Sequence, residues 1–416
     1  MQNARPSKFP CQLWLLFSLL FVLSACAPTV GIFSSTNWQA GTLQHEHIRS
    51  IAVDPNNPQN IYAGDAQDGV FVSTDGGTTW KQQQNGLQPA TTIHALVFDD
   101  PGKKLYAASD AGVYVSADGA KSWAKVGGLP QGGYTAIAFD LKKTQSIYVG
   151  SAQHGIFASQ DSGATWSAVN SGLPASLTIN GLAFDSEAHQ LWAATNAGIY
   201  RSSDGGASWQ ALNNGLPADA NIFTVLPASI DGGAPGLIFA GTNKGFYLSQ
   251  DSAAHWKTSQ APLTRISIYD VLIDYHTVTT VYIATGTVGI LRSLDSGENW
   301  GGFASGLPTH QPVYAMAMGA TNYDQLFVAS NNIYLYPGTS SIFDPTRLLP
   351  FVLVIVFFYI LIRLSMRRRK SSRAPARSGS PIEPEDAHEN TPSSPGETDK
   401  LPVSNEDNNT RSKHDE

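Results

Sequence analysis

Cysteine is almost missing from this chain: its 416 residues hold two, Cys11 and Cys26. Cys11 falls in an N-terminal apolar leader, so after processing no pair remains to form a disulfide, and packing alone must hold an exported domain together. Grouped basic residues are missing from the body of the chain as well. Residues 27–346 carry 13 Lys and Arg against 23 Asp and Glu, which excludes a nucleic-acid surface, because phosphates demand clustered Lys and Arg. The histidines show no zinc-enzyme spacing beyond the weak His45-x-His47 pair. The glycine-rich stretches are turns between short strands, not phosphate loops. No metal and no cofactor is expected.

What is present is a repeat. The pattern Ser-x-Asp-x-Gly-x-(Ser/Thr)-Trp occurs six times, with its Asp and Trp at Asp75 and Trp80, Asp118 and Trp123, Asp161 and Trp166, Asp204 and Trp209, Asp251 and Trp256, and Asp295 and Trp300. Successive copies are 43, 43, 43, 47 and 44 residues apart. A period in the forties, filled by short strands between turn signals, predicts an all-β propeller with four strands, A to D, in each blade. Residues 48–87 show the unit: strands at 48–54, 60–64, 70–73 and 79–84 alternate with turn clusters such as Asp54-Pro-Asn-Asn-Pro. The box belongs on the C–D hairpin. There the short Asp side chain can accept backbone amides two residues on, the Gly supplies a left-handed backbone, and the Trp plants a ring between neighbouring sheets. Ala120 and Ala253 replace that Gly in the second and fifth boxes, and His255 stands where Ser or Thr is usual. Those two turns should each cost about 1 kcal/mol if the positive φ is kept.

Six boxes do not fix six blades. Further strands are expected at 313–318, 325–329 and 332–336, with no Trp after them, while Trp38 near the other end looks like an orphan D strand. Pairing that N-terminal strand into the last blade would remove two bare sheet edges. The expectation is a seven-bladed β-propeller over 35–338 with N/C-terminal strand closure.

The boxes resemble those of Asp-box (BNR-repeat) propellers, a group with sortilin-type receptors, photosystem II assembly factors, family 74 glycoside hydrolases and sialidases. The same box serves enzymes and plain binding proteins, so the resemblance implies fold more strongly than function. Sialidases of the group use an arginine triad and a Tyr–Glu pair. Here the propeller region holds only Arg49, Arg201, Arg265 and Arg292, and Glu only at 46, 187 and 298. Family 74 is closer in its Asp-Pro turns and Gly-Leu-Pro endings, but its substrate cleft lies between two propellers and this chain has one. Glycoside hydrolysis needs two suitably spaced carboxylates, whereas Asp54, Asp99, Asp140, Asp185 and Asp274 close A strands as turn residues. A binding or scaffold module for an envelope protein or glycan is the first reading; a family 74 or sialidase-type hydrolase is the alternative.

The candidate binding site is positional. The second residue of each A strand varies where its neighbours are small or aliphatic: Arg49, His94, Thr135, Asn180, Phe223, Tyr269 and Tyr314. Such a ring at the channel mouth, with Asp270 and His47 nearby, could hold a sugar, a peptide or a chain end; ordinary inter-blade packing is the competing account.

The ends suggest a membrane. Residues 1–25 read as a signal peptide, with Arg5 and Lys8 ahead of an apolar run at 13–23 too short to span a bilayer. Leu23-Ser-Ala-Cys26 resembles a lipobox, making Cys26 a candidate lipidation site and 26–34 a tether; cleavage after Ala27 is the other option. Residues 347–366, followed by Arg367-Arg-Arg-Lys370, read as one transmembrane helix with the C-terminus in the cytoplasm and the propeller outside. The tail 367–416 has too few apolar residues to fold alone. Both tethers would leave from the box side of blade 7, which sets the Asp-box face towards the bilayer and the D–A and B–C loops away from it.

Overall fold

The computed structural model describes residues 37–337, apart from 44–46, 100–102, 144, 186, 229–235, 260–262, 275–276 and 320–324. The signal peptide, Cys26, the tether, the transmembrane segment and the tail therefore lie outside the described residues, as does most of the 227–236 insertion in blade 5. All regular structure among the described residues is strand.

Seven four-stranded antiparallel sheets are formed, each in the order A-B-C-D. The A strands are Ile48–Val53, Ile93–Phe98, Tyr134–Phe139, Ile179–Asp185, Ile222–Pro227, Ile268–Ile273 and Ala315–Met318. Each touches the A strands of the blades on both sides, so the seven ring the central channel. B strands such as Ile61–Asp65 and Val281–Thr285 are buried along their length, sandwiched between neighbouring sheets. The outer D strands, such as Ala124–Lys125 and Gln210–Ala211, are exposed. This gradient follows from composition: apolar and β-branched residues fill A to C, and polar residues carry D.

The core is divided among seven apolar clusters, each built from two adjacent blades, and the set closes with blade 7 against blade 1. One residue sets each seam. The first A-strand residue of blades 1 to 6 (Ile48, Ile93, Tyr134, Ile179, Ile222, Ile268) has no exposed surface, and full burial of such a side chain stabilises by about 1.5–3 kcal/mol. It sits over a small residue of the preceding B strand. A Cβ added at Gly64 would lie 2.7 Å from Ile93, and one at Gly150 2.5 Å from Ile179.

The expected closure is present. Gln39–Ala40 is the fourth strand of the last sheet, pairing with Ile333–Tyr336 in the register Gln39 to Leu335 and Ala40 to Tyr334. Trp38 is buried, its amide donates to the Ser305 carbonyl at 3.0 Å, and its ring lies edge-on to Phe303. Asn332 Nδ2 donates to the Gly41 carbonyl at 3.0 Å. The A strand of blade 7 is shorter than expected, starting at Ala315 instead of Val313.

All six boxes hold the left-handed turn expected, but each carboxylate accepts the amide four residues on and not two. In the first, Ser73 Oγ donates to Asp75 Oδ1 at 2.8 Å and accepts the Gly77 amide at 2.8 Å, while Thr79 gives its amide and hydroxyl to the same carboxylate. Gly77 has φ +91°, and Ala120 and Ala253 hold φ +66° and +67° without being Gly. The residue before them is left-handed too, including Ser162, Ser252 and Ser296. The tryptophans differ in what their indoles meet, a departure from the single inter-sheet role expected. Trp80, Trp166 and Trp300 donate within their own box at 3.1 Å, Trp300 also donates to Ser259 Oγ of the preceding blade at 3.1 Å, and Trp123 Nε1 has no partner among the described residues. Trp209 and Trp256 are buried and donate to Val169 and Leu212 of the preceding blade, the same reach that Trp38 makes to Phe303.

Candidate functional site

The second A-strand residue has a structural identity that its variability only hinted at. In blades 1 to 6 the A–B register slips by one between the first and third residues. Arg49, His94, Thr135, Asn180, Phe223 and Tyr269 are the extra residues of these six β-bulges. Tyr314 is the counterpart in blade 7, where its amide and the residue after it both face Ala329. A bulged residue leaves the ladder and its side chain is re-aimed. All seven are half-buried, and they stand at the end of the channel formed by the D–A loops and B–C turns. His94 shows the placement, since it meets Asp110 in a B–C turn.

The ring is not uniform. Across blades 2 to 4 its polar groups are taken. His94 Nε2 lies 2.7 Å from Asp110 Oδ1. Burial opposes the charge on Asp110, but the bonds from His94 and Thr92 prevail and hold its carboxyl below the usual range. Thr135 Oγ1 donates to the Ile179 carbonyl, and Asn180 Nδ2 donates to Asn221 Oδ1 and to the Ile222 carbonyl, both at 2.7 Å.

Blades 5, 6, 7 and 1 present a continuous contact instead. The Phe223 and Tyr269 ring centroids are 5.0 Å apart, those of Tyr269 and Tyr314 are 5.3 Å apart, and the Arg49 guanidinium lies 3.9 Å over the Tyr314 ring. Among the described residues, the Arg49 guanidinium and the two phenol hydroxyls have no hydrogen-bond partner. Next to Tyr269, Asp270 accepts the amides of Val271 at 2.9 Å and Met316 at 2.8 Å, tying blade 6 to blade 7. Asp270 as a whole keeps some exposed surface. Protein nevertheless surrounds the carboxyl, and this desolvation pushes it up to about 7 against those two bonds.

The other sequence candidates fall elsewhere. Arg201 and Arg292 stand on C strands over Trp192 (5.5 Å) and Phe303 (4.6 Å). Asp54, Asp140 and Asp185 accept backbone amides two and three residues on, as turn residues do. Two surface hollows of about 330 and 240 Å³ lie by the box of blade 2 and by His154 and Asn170 of blade 3, neither lined by a ring residue. Among the described residues, no three His, Cys, Asp or Glu side chains are placed to hold a metal ion.

Six boxes of this geometry in seven closed sheets define a seven-bladed Asp-box propeller. The comparisons agree: residues 111–228 match the family described as Sortilin-Vps10, sortilin, neurotensin receptor 3. No curated protein matches the chain in sequence. Among solved structures, a GH74 xyloglucanase from Xanthomonas campestris superposes with TM-score 0.58 at 15% identity over 72% of this chain and 53% of its own. YCF48 bound to D1 peptide gives 0.56 at 18% identity, over 72% and 95%. The extracellular domain of a putative hybrid two component system from B. thetaiotaomicron gives 0.61 at 15% identity, over 73% and 40%. The chain thus spans about half the length of the xyloglucanase it resembles and nearly all of the YCF48 chain. At such identities the likeness is one of fold.

Proposed function

We propose that this chain is a membrane-anchored, extracytoplasmic propeller that binds or scaffolds an envelope protein or glycan through the D–A and B–C end of its channel. One observation carries the reading: six matched bulges, with Tyr314 as the seventh, turn the most variable side chain of every blade to one end of the channel. Anchoring rests on the apolar runs at 13–23 and 348–362, the basic cluster 367–370 and Cys26. The YCF48 likeness supports a binding role, because that propeller is described bound to a peptide. The xyloglucanase likeness supports the alternative, a glycoside hydrolase.

Full-length chain in detergent, tested against a glycan array, against envelope proteins by pull-down and in hydrolysis assays on the same glycans, separates the two. Capture without product release is the expected result. Product from any glycan replaces the module with the hydrolase, and capture of neither ligand class removes the binding reading. Retention in the membrane fraction, with the propeller open to protease in intact cells, tests the anchor and its orientation.

A further inference from the structure

The ring holds an asymmetry that its sequence does not show. On one side His94, Thr135 and Asn180 spend their polar groups on protein partners. On the other, Phe223, Tyr269, Tyr314 and Arg49 join into one curved wall in which a guanidinium and two phenol hydroxyls are unpaired among the described residues. A guanidinium held over a ring, with no protein acceptor among the described residues, keeps its N–H donors available to a ligand. It is a good element of an anion site.

Resting on the binding reading above, we infer that the arc Phe223–Tyr269–Tyr314–Arg49 is a saccharide subsite that selects a sugar unit bearing a carboxylate, and that the opposite arc takes no part. The Tyr314 ring lies 3.9 Å from the centre of the guanidinium and covers it on that side. The N–H edge then remains for a carboxylate, whose two oxygens match two parallel N–H donors. A pyranose ring has an apolar C–H face and hydroxyls at its rim. Tyr269 and Tyr314 offer the counterpart, an apolar ring with a polar tip, and Phe223 extends the apolar part.

The alternatives fit less well. A peptide would bring amide donors, and the carboxylate nearest the arc, Asp270, already receives two. A polyanion would meet the negative field of a region with 13 basic and 23 acidic residues. An otherwise neutral glycan with one acidic unit meets the arginine without that penalty.

The test is calorimetric binding of the full-length chain in detergent to a glucuronate-terminated oligosaccharide and to its carboxyl-reduced, glucose-terminated counterpart. The acidic probe should bind at least about tenfold more tightly, the size of one charged contact. Arg49→Gln should erase that difference and leave the neutral probe unchanged. Tyr314→Phe, which keeps the ring under the guanidinium, should weaken both probes by a few-fold, and Asn180→Ala should alter neither. A thermal melt of each variant identifies failures of folding, and the Phe variant tests the arc without removing its packing. Equal affinity for the two probes, or an unchanged preference in Arg49→Gln, overturns the inference. So does capture of peptides or envelope proteins with no saccharide binding, an outcome that leaves the broader binding reading standing. Loss of all ligands from the parent chain removes both.

Discussion

The indole of Trp38 donates to the carbonyl oxygen of Phe303 across 265 residues of sequence, and this contact makes the first described strand the outer edge of the last sheet. Trp38→Ala should therefore cost about 3–5 kcal/mol, the range for an emptied Trp site, although it lies outside the six boxes. Urea denaturation of the purified chain measures it. A loss under 1 kcal/mol would mean that the ring is held closed by other contacts.

Gly86, Gly172, Gly215 and Gly306, each followed by Leu near the end of a repeat, mark close approaches to the backbone of the next blade. A Cβ at Gly86 would lie 2.0 Å from the Trp123 carbonyl oxygen, whereas one at Gly77 would meet only Ile61 and Trp80 at 3.7 and 3.9 Å. Gly77→Ala should behave like the natural Ala120 and Ala253, costing about 1 kcal/mol for its left-handed backbone. Gly86→Ala should cost at least about 3 kcal/mol, because a backbone must move. Equal urea midpoints for the two would contradict the seam geometry.

Trp123 and Trp209 are both buried, but Trp209 Nε1 has an acceptor and Trp123 Nε1 has none. Replacement by Phe keeps most of the ring and deletes the N–H. Trp209→Phe should be the costlier of the two by about 1 kcal/mol, the net worth of one hydrogen bond. Thermal melts of the pair give the comparison, and the reverse order would point to a water serving Trp123.

Two sets of carboxylates act on stability in opposite pH ranges. Asp75, Asp118, Asp161, Asp204 and Asp251 are drawn down to about 2 by bonds from the residue four places on and from the box Ser, and Asp295 is lowered in the same way. Their contribution is complete above about 4, where the unfolded carboxylates are also charged, and fades as pH falls through about 2. Asp270 runs the other way. Its folded carboxyl, at about 7, keeps a proton that the unfolded chain releases near its ordinary 3.8, so stability falls as pH rises between those values. Asp270→Asn should flatten that limb and leave the acid limb intact, as urea midpoints at pH 3, 5 and 8 would reveal. An unchanged slope from pH 5 to 8 would show that Asp270 ionises freely in the fold.

The blade count, the closing role of Trp38 and the left-handed turn of the boxes were legible because each is local chemistry repeated at a fixed period. The mouth residues were legible as a position but not as a structure. A bulge present in every blade adds no irregularity to the period, so Arg49 and Tyr269 stood out only by their variability. The division of the ring could not be read at all. Nothing in the order of residues says that Asn180 reaches Asn221 while Tyr314 lies under Arg49, since both facts depend on how adjacent sheets are rotated. The differing partners of the tryptophans were missed for the same reason. Trp166 and Trp209 sit in nearly identical boxes, and only the neighbouring blade decides which carbonyl each indole meets.

The join at Trp38 also orders the assembly of the ring in time. Strands within a blade meet across a few dozen residues and can zip together as they leave the ribosome. The join has a far higher contact order, and its ordering entropy falls due only after the final hairpin exists. Until then the nascent ring carries two open flanks, which are the surfaces a chaperone or a second, unfinished copy would find first.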